Sequence, residues 1–211
     1  MKDRLITDAI GLVQESIHSP KSHKKAALFL KLDIKKAYDR VNWNFVRMIL
    51  IQIGLDWKVF QWIMGCISST PFAILVNRSP IEFFQAERGL RQGCTLSPLL
   101  FILVVDCLSR LIEEARKVGK FRGFKVSIGN LVSHLMFVDD IFILGSSSLV
   151  EWRYMKDIVD KFCKASGLEI NHKKSCFIHI NVEDYILQEV ISYWGVVSSS
   201  LEIGFKYLGY F

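Results

Sequence analysis

Asp139 and Asp140 stand side by side in HLMFVDDIFILG (134–145), between the apolar runs Leu135–Val138 and Ile141–Leu144. Both runs have the length and the β-branched or aromatic content of buried strands. The acidic pair then falls at a hairpin turn. Two carboxylates against an apolar sheet repel each other, and burying them without a counter-charge is costly. No Lys or Arg lies in the stretch, which leaves two readings open: a solvated turn, or a site for a divalent cation. Asp33 stands at the C-terminal end of a second stretch that reads as a strand, Ala26–Leu32. Strand C-terminal ends are common places for chemistry, although a cap or a solvated strand end would also explain an Asp there. Three carboxylates brought together without cationic partners would suit Mg2+, which takes oxygen ligands and shares its shell with substrate phosphates.

The elements that must position these residues follow from local signals. The helical spacing of Ile6, Ile10, Val13 and Ile17 predicts an amphipathic helix over 4–17, before the basic loop SPKSHKK (19–25). Asn42 caps a helix through Ile53 with Val46, Ile49, Leu50 and Ile53 on one face, and Gly54 stops it. Asp56 caps a second helix, Trp57–Ile67. Phe72–Val76 and Ile81–Phe84 read as paired strands around Asn77–Pro80. In ERGLRQGCTLSPLLF (87–101), Gly89 and Gly93 punctuate a loop, and Ser97-Pro98 reads as the cap and first residue of a helix to about Lys117. Glycines before a helix N-terminus suit an anionic ligand.

Phe124–Ile128 and Leu131–Val138 flank a Gly129–Asn130 turn. Ser148 and Glu151 form a capping box for a helix whose core face is Trp152, Met155, Ile158, Val159 and Phe162, and Gly167 ends it. Short strands follow at Leu168–Asn171 and Cys176–Ile180, around a polar turn, then a helix over Glu183–Trp194 and a strand or hairpin in FKYLGYF (205–211). The core order is β-α-β-β-α-β. The fold class expected is therefore α+β, two-layered and ferredoxin-like, with helices on one face of an antiparallel sheet. In that topology the strands bearing Asp33 and Asp139 lie side by side.

The chain has 211 residues, of which 51% are hydrophobic and 23% charged, so it can bury a sizeable core. A formal net charge of +6 favours a polyanionic partner. The five cysteines form no C-x-x-C pair, several lie in apolar runs and read as core residues, and the five histidines show no zinc-ligand spacing. This usage fits a reducing, intracellular compartment. No apolar run reaches transmembrane length, no signal-peptide pattern starts the chain, and no internal repeat is visible.

Taken together these stretches resemble the reverse transcriptase domain of non-LTR (LINE-type) retrotransposons, particularly plant ones. FLKLDIKKAYDRVNW is similar to the family's first catalytic motif, GLRQGCTLSPLLFIL to the second, FVDD to the third, GLEINHKKS to the fourth and KYLG to the fifth. RLITDAIGLVQESIH resembles the segment that precedes the first motif. The resemblance implies a polymerase palm that joins deoxynucleotides to a primer 3′-hydroxyl by two-metal nucleotidyl transfer directed by RNA. It implies Asp33 and Asp139 as ligands of two Mg2+ ions, with Mn2+ a possible substitute, and Asp140 as a supporting carboxylate. Tyr38 would lie under the incoming sugar and leave no room for a 2′-hydroxyl. Gln92 and Gly93 would line the nucleotide and template site. Ile34, Lys35, Lys36 and Ala37 would offer backbone amides to the triphosphate. Lys174, with Lys173 as competitor, would protonate departing pyrophosphate. Phe137 would pack beneath the primer or in the sheet. Asp39 is taken as a structural cap and kept out of the site.

The implied partners are an RNA template, a DNA primer and dNTPs, with no membrane. The implied location is nucleus or cytoplasm, and nothing bears on oligomeric state. Residues 1–25 are expected to be a remnant of the segment before the palm, and 26–211 the palm with a partial fingers insertion and no thumb. Val138 stands where the family usually has alanine. The alternatives are a catalytically inactive, truncated remnant that at most binds nucleic acid, and an intron-type maturase, against which RQGCTLSP and GLEINHKKS speak.

Overall fold

A computed structural model describes residues 26–69, 71–125, 131–137 and 140–199. The expected helix over 4–17, the Gly129–Asn130 turn and the FKYLGYF element lie outside the described residues. The chain divides into two compact units: the first holds Met1–Ile34, Cys107–Lys161 and Ile170–Phe211, the second Lys35–Asp106 and Phe162–Glu169.

The first unit is built on a five-stranded sheet. Its strands are β1 (Ala27–Leu32), β8 (His134–Phe137), β9 (Asp140–Gly145), β10 (Cys176–Ile180) and β11 (Val197–Ser199), in the order β11-β10-β1-β9-β8. β1 lies at the centre, antiparallel to both β10 and β9, with Phe29 opposite Ile178 on one side and Leu144 on the other. The strand is apolar over 27–30 and at Leu32 because both of its faces are buried there, and only Lys31 breaks the run. Ala27, Phe29, Phe142, Leu144, Ile178 and Ile180 form one core layer, into which Phe124 packs. Residues of the other parity, Leu28, Leu30, Ile143 and Phe177, are equally buried. Phe177 meets Trp152 and Trp194 edge-on, at 5.0 and 5.7 Å between ring centroids, a favoured aromatic geometry. Trp152 belongs to α5 (Leu149–Ser166) and Trp194 to α6 (Asp184–Trp194). All five apolar residues expected on the α5 face are buried.

The expected antiparallel sheet gains one parallel pair, β10 with β11. Helix α6 runs between those two strands, and a helical crossover returns the chain in the same direction. The expected strand over 131–138 is broken at Ser133 into β7 (Leu131–Val132), which pairs with β6 (Phe124–Lys125), and β8. The expected strand over 168–171 reduces to a single bridge, Ile34 with Ile170. The capping box is half formed. The Glu151 amide donates to Ser148 Oγ at 3.4 Å, but the Glu151 carboxylate accepts from the Arg122 guanidinium and amide and from Ser146 instead of closing the box.

The second unit holds α1 (Ala37–Arg40), α2 (Trp43–Ile53), α3 (Trp57–Ser68) and the start of α4 (Leu96–Lys117). Asn42 and Asp56 cap α2 and α3 through their side chains, and Gly54 closes α2 at φ 79°. Val46 and Leu50 are buried, whereas Ile53, at the helix end, is exposed. Helix α4 starts one residue before Ser97, which is buried in its first turn and is not the cap. The expected strand pair over 72–84 separates into β2 (Pro71–Phe72) with β5 (Phe84–Gln85), and β3 (Leu75–Val76) with β4 (Ser79–Pro80). Asn77 and Arg78 both have positive φ, the backbone of a two-residue hairpin turn that joins β3 to β4. The cysteines are not core residues: Cys66 is exposed, and Cys94, Cys107, Cys163 and Cys176 are half-buried. Among the described residues no helix is long and apolar enough to cross a membrane.

Candidate active site

In the first unit, Asp33 follows directly on the last residue of β1 and Asp140 is the first residue of β9. Asp140 is thus not in the turn expected for it: it pairs with Phe137, and only Val138 and Asp139, which lie outside the described residues, separate the two. The β1–β9 ladder ends at Leu32 opposite Ile141, a register in which paired numbers sum to 173 (32 + 141). Asp33 and Asp140 each lie one residue beyond that last pair, at the adjoining ends of neighbouring strands.

Asp33 is held by its backbone from both sides. Its amide donates to Ser175 Oγ at 3.0 Å, and its carbonyl accepts from the Asn171 amide at 2.8 Å. Ser175 is wholly buried. The turn Asn171–Ser175 closes on itself through the Lys174 and Ser175 amides, both of which donate to the Asn171 carbonyl. Lys174 is therefore carried on a turn whose two ends grip Asp33. Both Lys173 and Lys174 are exposed there, and the competition between them stays open. The Asp33 carboxylate meets no cation among the described residues. An all-oxygen donor set at strand ends fits Mg2+, although two carboxylates are too few for a described cluster and none of three or more candidate ligands occurs among the described residues.

The expected nucleotide residues divide at the unit boundary. Ile34, in the first unit, is bridged to Ile170; Lys35, Lys36, Ala37, Tyr38, Gln92 and Gly93 belong to the second. Lys35 does not offer a free amide, because its N–H donates to the Glu169 carbonyl at 2.8 Å. Its ammonium and the Arg40 guanidinium both pair with the Glu169 carboxylate, each at 2.5 Å. Lys36 takes a left-handed conformation, φ 44° and ψ 53°, at the start of α1. Such a backbone is rare for a residue with a side chain and marks a strained position. Ala37 is buried, and the Tyr38 ring stacks on Phe101 of α4 at 4.8 Å and 19°.

The loop before α4 is tied to this segment. The Gly89 amide donates to the Val41 carbonyl at 2.8 Å and the Leu90 amide to the Tyr38 carbonyl at 2.7 Å, while Trp43 Nε1 donates to the Gly89 carbonyl at 2.6 Å. Gly89 has φ 94°, and a Cβ there would stand 2.8 Å from the Asp39 carbonyl oxygen. Gln92 is exposed and donates through Nε2 to Asp39 Oδ1 at 3.3 Å. Asp39 is thus not a cap: it lies within α1 and its carboxylate is spent on Gln92. Gly93, at φ 83°, has open space around it.

Sequence reasoning missed three residues here. Ser175 and Glu169 act across 142 and 134 positions, and no local pattern announces such contacts. The position of Asp39 beside Tyr38 was the one available signal.

The model of the reverse transcriptase (RNA-dependent DNA polymerase) family matches residues 2–211. The chain belongs to that family. Among its curated relatives, a Pol polyprotein of the type-1 retrotransposable element R2 from Popillia japonica is 26% identical over 170 residues, 80% of this chain and 23% of that protein. The transposon TX1 149 kDa protein of Xenopus laevis is 24% identical over 172 residues, 82% of this chain and 13% of that protein. This reverse transcriptase domain therefore spans less than a quarter of the length of either relative. A solved telomerase from Candida tropicalis, truncated from its C-terminal domain, matches with a TM-score of 0.61 at 18% identity over 86% of this chain and 36% of that one. The mixed α+β fold is shared with it.

Proposed function

We propose that this domain is the palm of an RNA-directed DNA polymerase, and that Asp33 and Asp139, with Asp140 in support, hold two Mg2+ ions. The observation that carries the reading is the fixing of Asp33: a carboxylate at a central strand end, gripped through its backbone by the Asn171–Ser175 turn, with Asp140 at the adjoining end of the neighbouring strand. The strand order β10-β1-β9-β8 supports the ferredoxin-like topology of such a palm. When bound, the two ions supply activation of the primer 3′-hydroxyl and stabilisation of the pyrophosphate leaving group. Tyr38, its ring fixed on Phe101, carries the flat surface under the sugar that selects deoxynucleotides. Gln92 and Gly93 contact the nucleotide. The Lys36 and Ala37 amides serve the triphosphate, a role from which the Lys35 amide is withdrawn by Glu169. Lys174 donates the proton to pyrophosphate. RNA template, DNA primer and dNTPs are the proposed partners, by family and by net positive charge.

The test is primer extension on poly(rA)/oligo(dT) with Mg2+, run beside the Asp139→Asn variant. Incorporation by the wild type that vanishes in the variant is expected. No incorporation by either, with both proteins folded, would move the reading to a remnant that at most binds nucleic acid.

A further inference from the structure

We propose that Asp39 is a positioning residue that fixes which end of the Gln92 carboxamide faces the nucleotide. The inference rests on the nucleotide role proposed for Gln92. An amide presents an acceptor at one end and two donors at the other, and its terminal torsion has two broad, roughly equivalent wells. A carboxylate can only accept, so it selects the NH2 end of its partner. That pairing is the 3.3 Å contact between Gln92 Nε2 and Asp39 Oδ1. Gln92 Oε1 has no partner among the described residues, and the side chain is exposed.

The backbone beneath both residues is already set. Leu90 N–H on the Tyr38 carbonyl, Gly89 N–H on the Val41 carbonyl and Trp43 Nε1 on the Gly89 carbonyl lock the loop to the 38–41 segment. What remains free is the Gln92 side chain itself, and Asp39 removes its flip. The consequence is chemical. Gln92 turns its acceptor oxygen outward, so it addresses a hydrogen-bond donor on the sugar or the base. A phosphate oxygen, which has no proton to give, is not its partner.

The test is steady-state single-nucleotide incorporation by the wild type and by Asp39→Ala, Asp39→Asn, Gln92→Ala and the double Asp39→Ala/Gln92→Ala variant, each checked for a cooperative thermal transition. Asp39→Ala should raise KM for the dNTP about three- to tenfold, the range of one exposed, charge-assisted hydrogen bond, with kcat within about twofold. Asp39→Asn keeps an acceptor oxygen but can also donate, so it pairs with either end of Gln92 and should recover only part of the loss. The double variant should be no worse than Gln92→Ala alone. Inhibition by pyrophosphate should be unchanged in Asp39→Ala. Effects of Asp39→Ala and Gln92→Ala that multiply in the double variant would overturn the assignment, as would an Asp39→Ala enzyme with wild-type KM. A matching loss of pyrophosphate affinity would overturn the donor-seeking orientation. A folded wild type that incorporates nothing would instead contradict the polymerase reading, so the two failures are distinct.

Discussion

Replacing Ser175 by alanine removes one oxygen atom and with it the acceptor of the Asp33 amide. Ser175 is wholly buried and the bond is 3.0 Å long. The substitution leaves almost no cavity, so the cost is that of stranding a backbone donor, about 1–3 kcal/mol. Asp33 is only half-buried; water can reach part of its surface, which puts the expectation near the lower end, about 1–2 kcal/mol. For a chain of this size each kcal/mol shifts the melting midpoint by about 2–4 °C, so Ser175→Ala should melt about 2–8 °C lower. The same substitution loosens the backbone on which the Asp33 carboxylate stands, so primer extension should fall with it. Asp33→Asn supplies the control. It keeps the amide bond to Ser175 while removing the charge, so it should retain the wild-type midpoint and lose activity. Thermal unfolding by circular dichroism and primer extension on the three proteins decide the matter. A Ser175→Ala midpoint within about 1 °C of wild type would refute the claim that this hydroxyl anchors Asp33.

Two further outcomes follow from local geometry. Gly89→Ala should cost about 2 kcal/mol or more, because a left-handed backbone is added to a 2.8 Å clash with the Asp39 carbonyl; Gly93→Ala, equally left-handed but in open space, should cost only about 1–2 kcal/mol, and urea unfolding compares the two. In alkylation by iodoacetamide followed across pH, Cys94 should react at lower pH than Cys176. The Leu96 amide at the start of α4, with help from Ser97 and Arg91, holds the Cys94 thiol below its ordinary value, so its thiolate forms earlier, whereas burial pushes Cys176 up and delays its thiolate. Mass-spectrometric site mapping reads the order, and earlier labelling of Cys176 would contradict it.

What could be read from sequence was what one stretch of chain decides by itself. Asn42 and Asp56 cap the helices they precede, because a cap is a bond between near neighbours. The stripe from Trp152 to Phe162 is buried as its spacing predicts. Where partners lie far apart in the chain, the reading lost detail. Glu151 has the spacing of a capping box, yet an Arg122 guanidinium 29 positions away claims its carboxylate. The same holds at the candidate site. Asp33 and Asp140 stood out as candidates by their type and setting, whereas the Ser175 hydroxyl behind Asp33, the Glu169 carboxylate on Lys35 and Arg40, and the Asp39 carboxylate on Gln92 depend on how the folded chain brings distant segments together.

The most direct test of the central claim is the rate of single-nucleotide incorporation titrated with Mg2+, for the wild type and for Asp33→Asn at equal, verified folding. The account predicts a saturable dependence on Mg2+ in the wild type and a fall of more than about a hundredfold in the variant, as expected when a ligand to the catalytic ions is lost. An Asp33→Asn protein that incorporates within about threefold of wild type at saturating Mg2+ would contradict it.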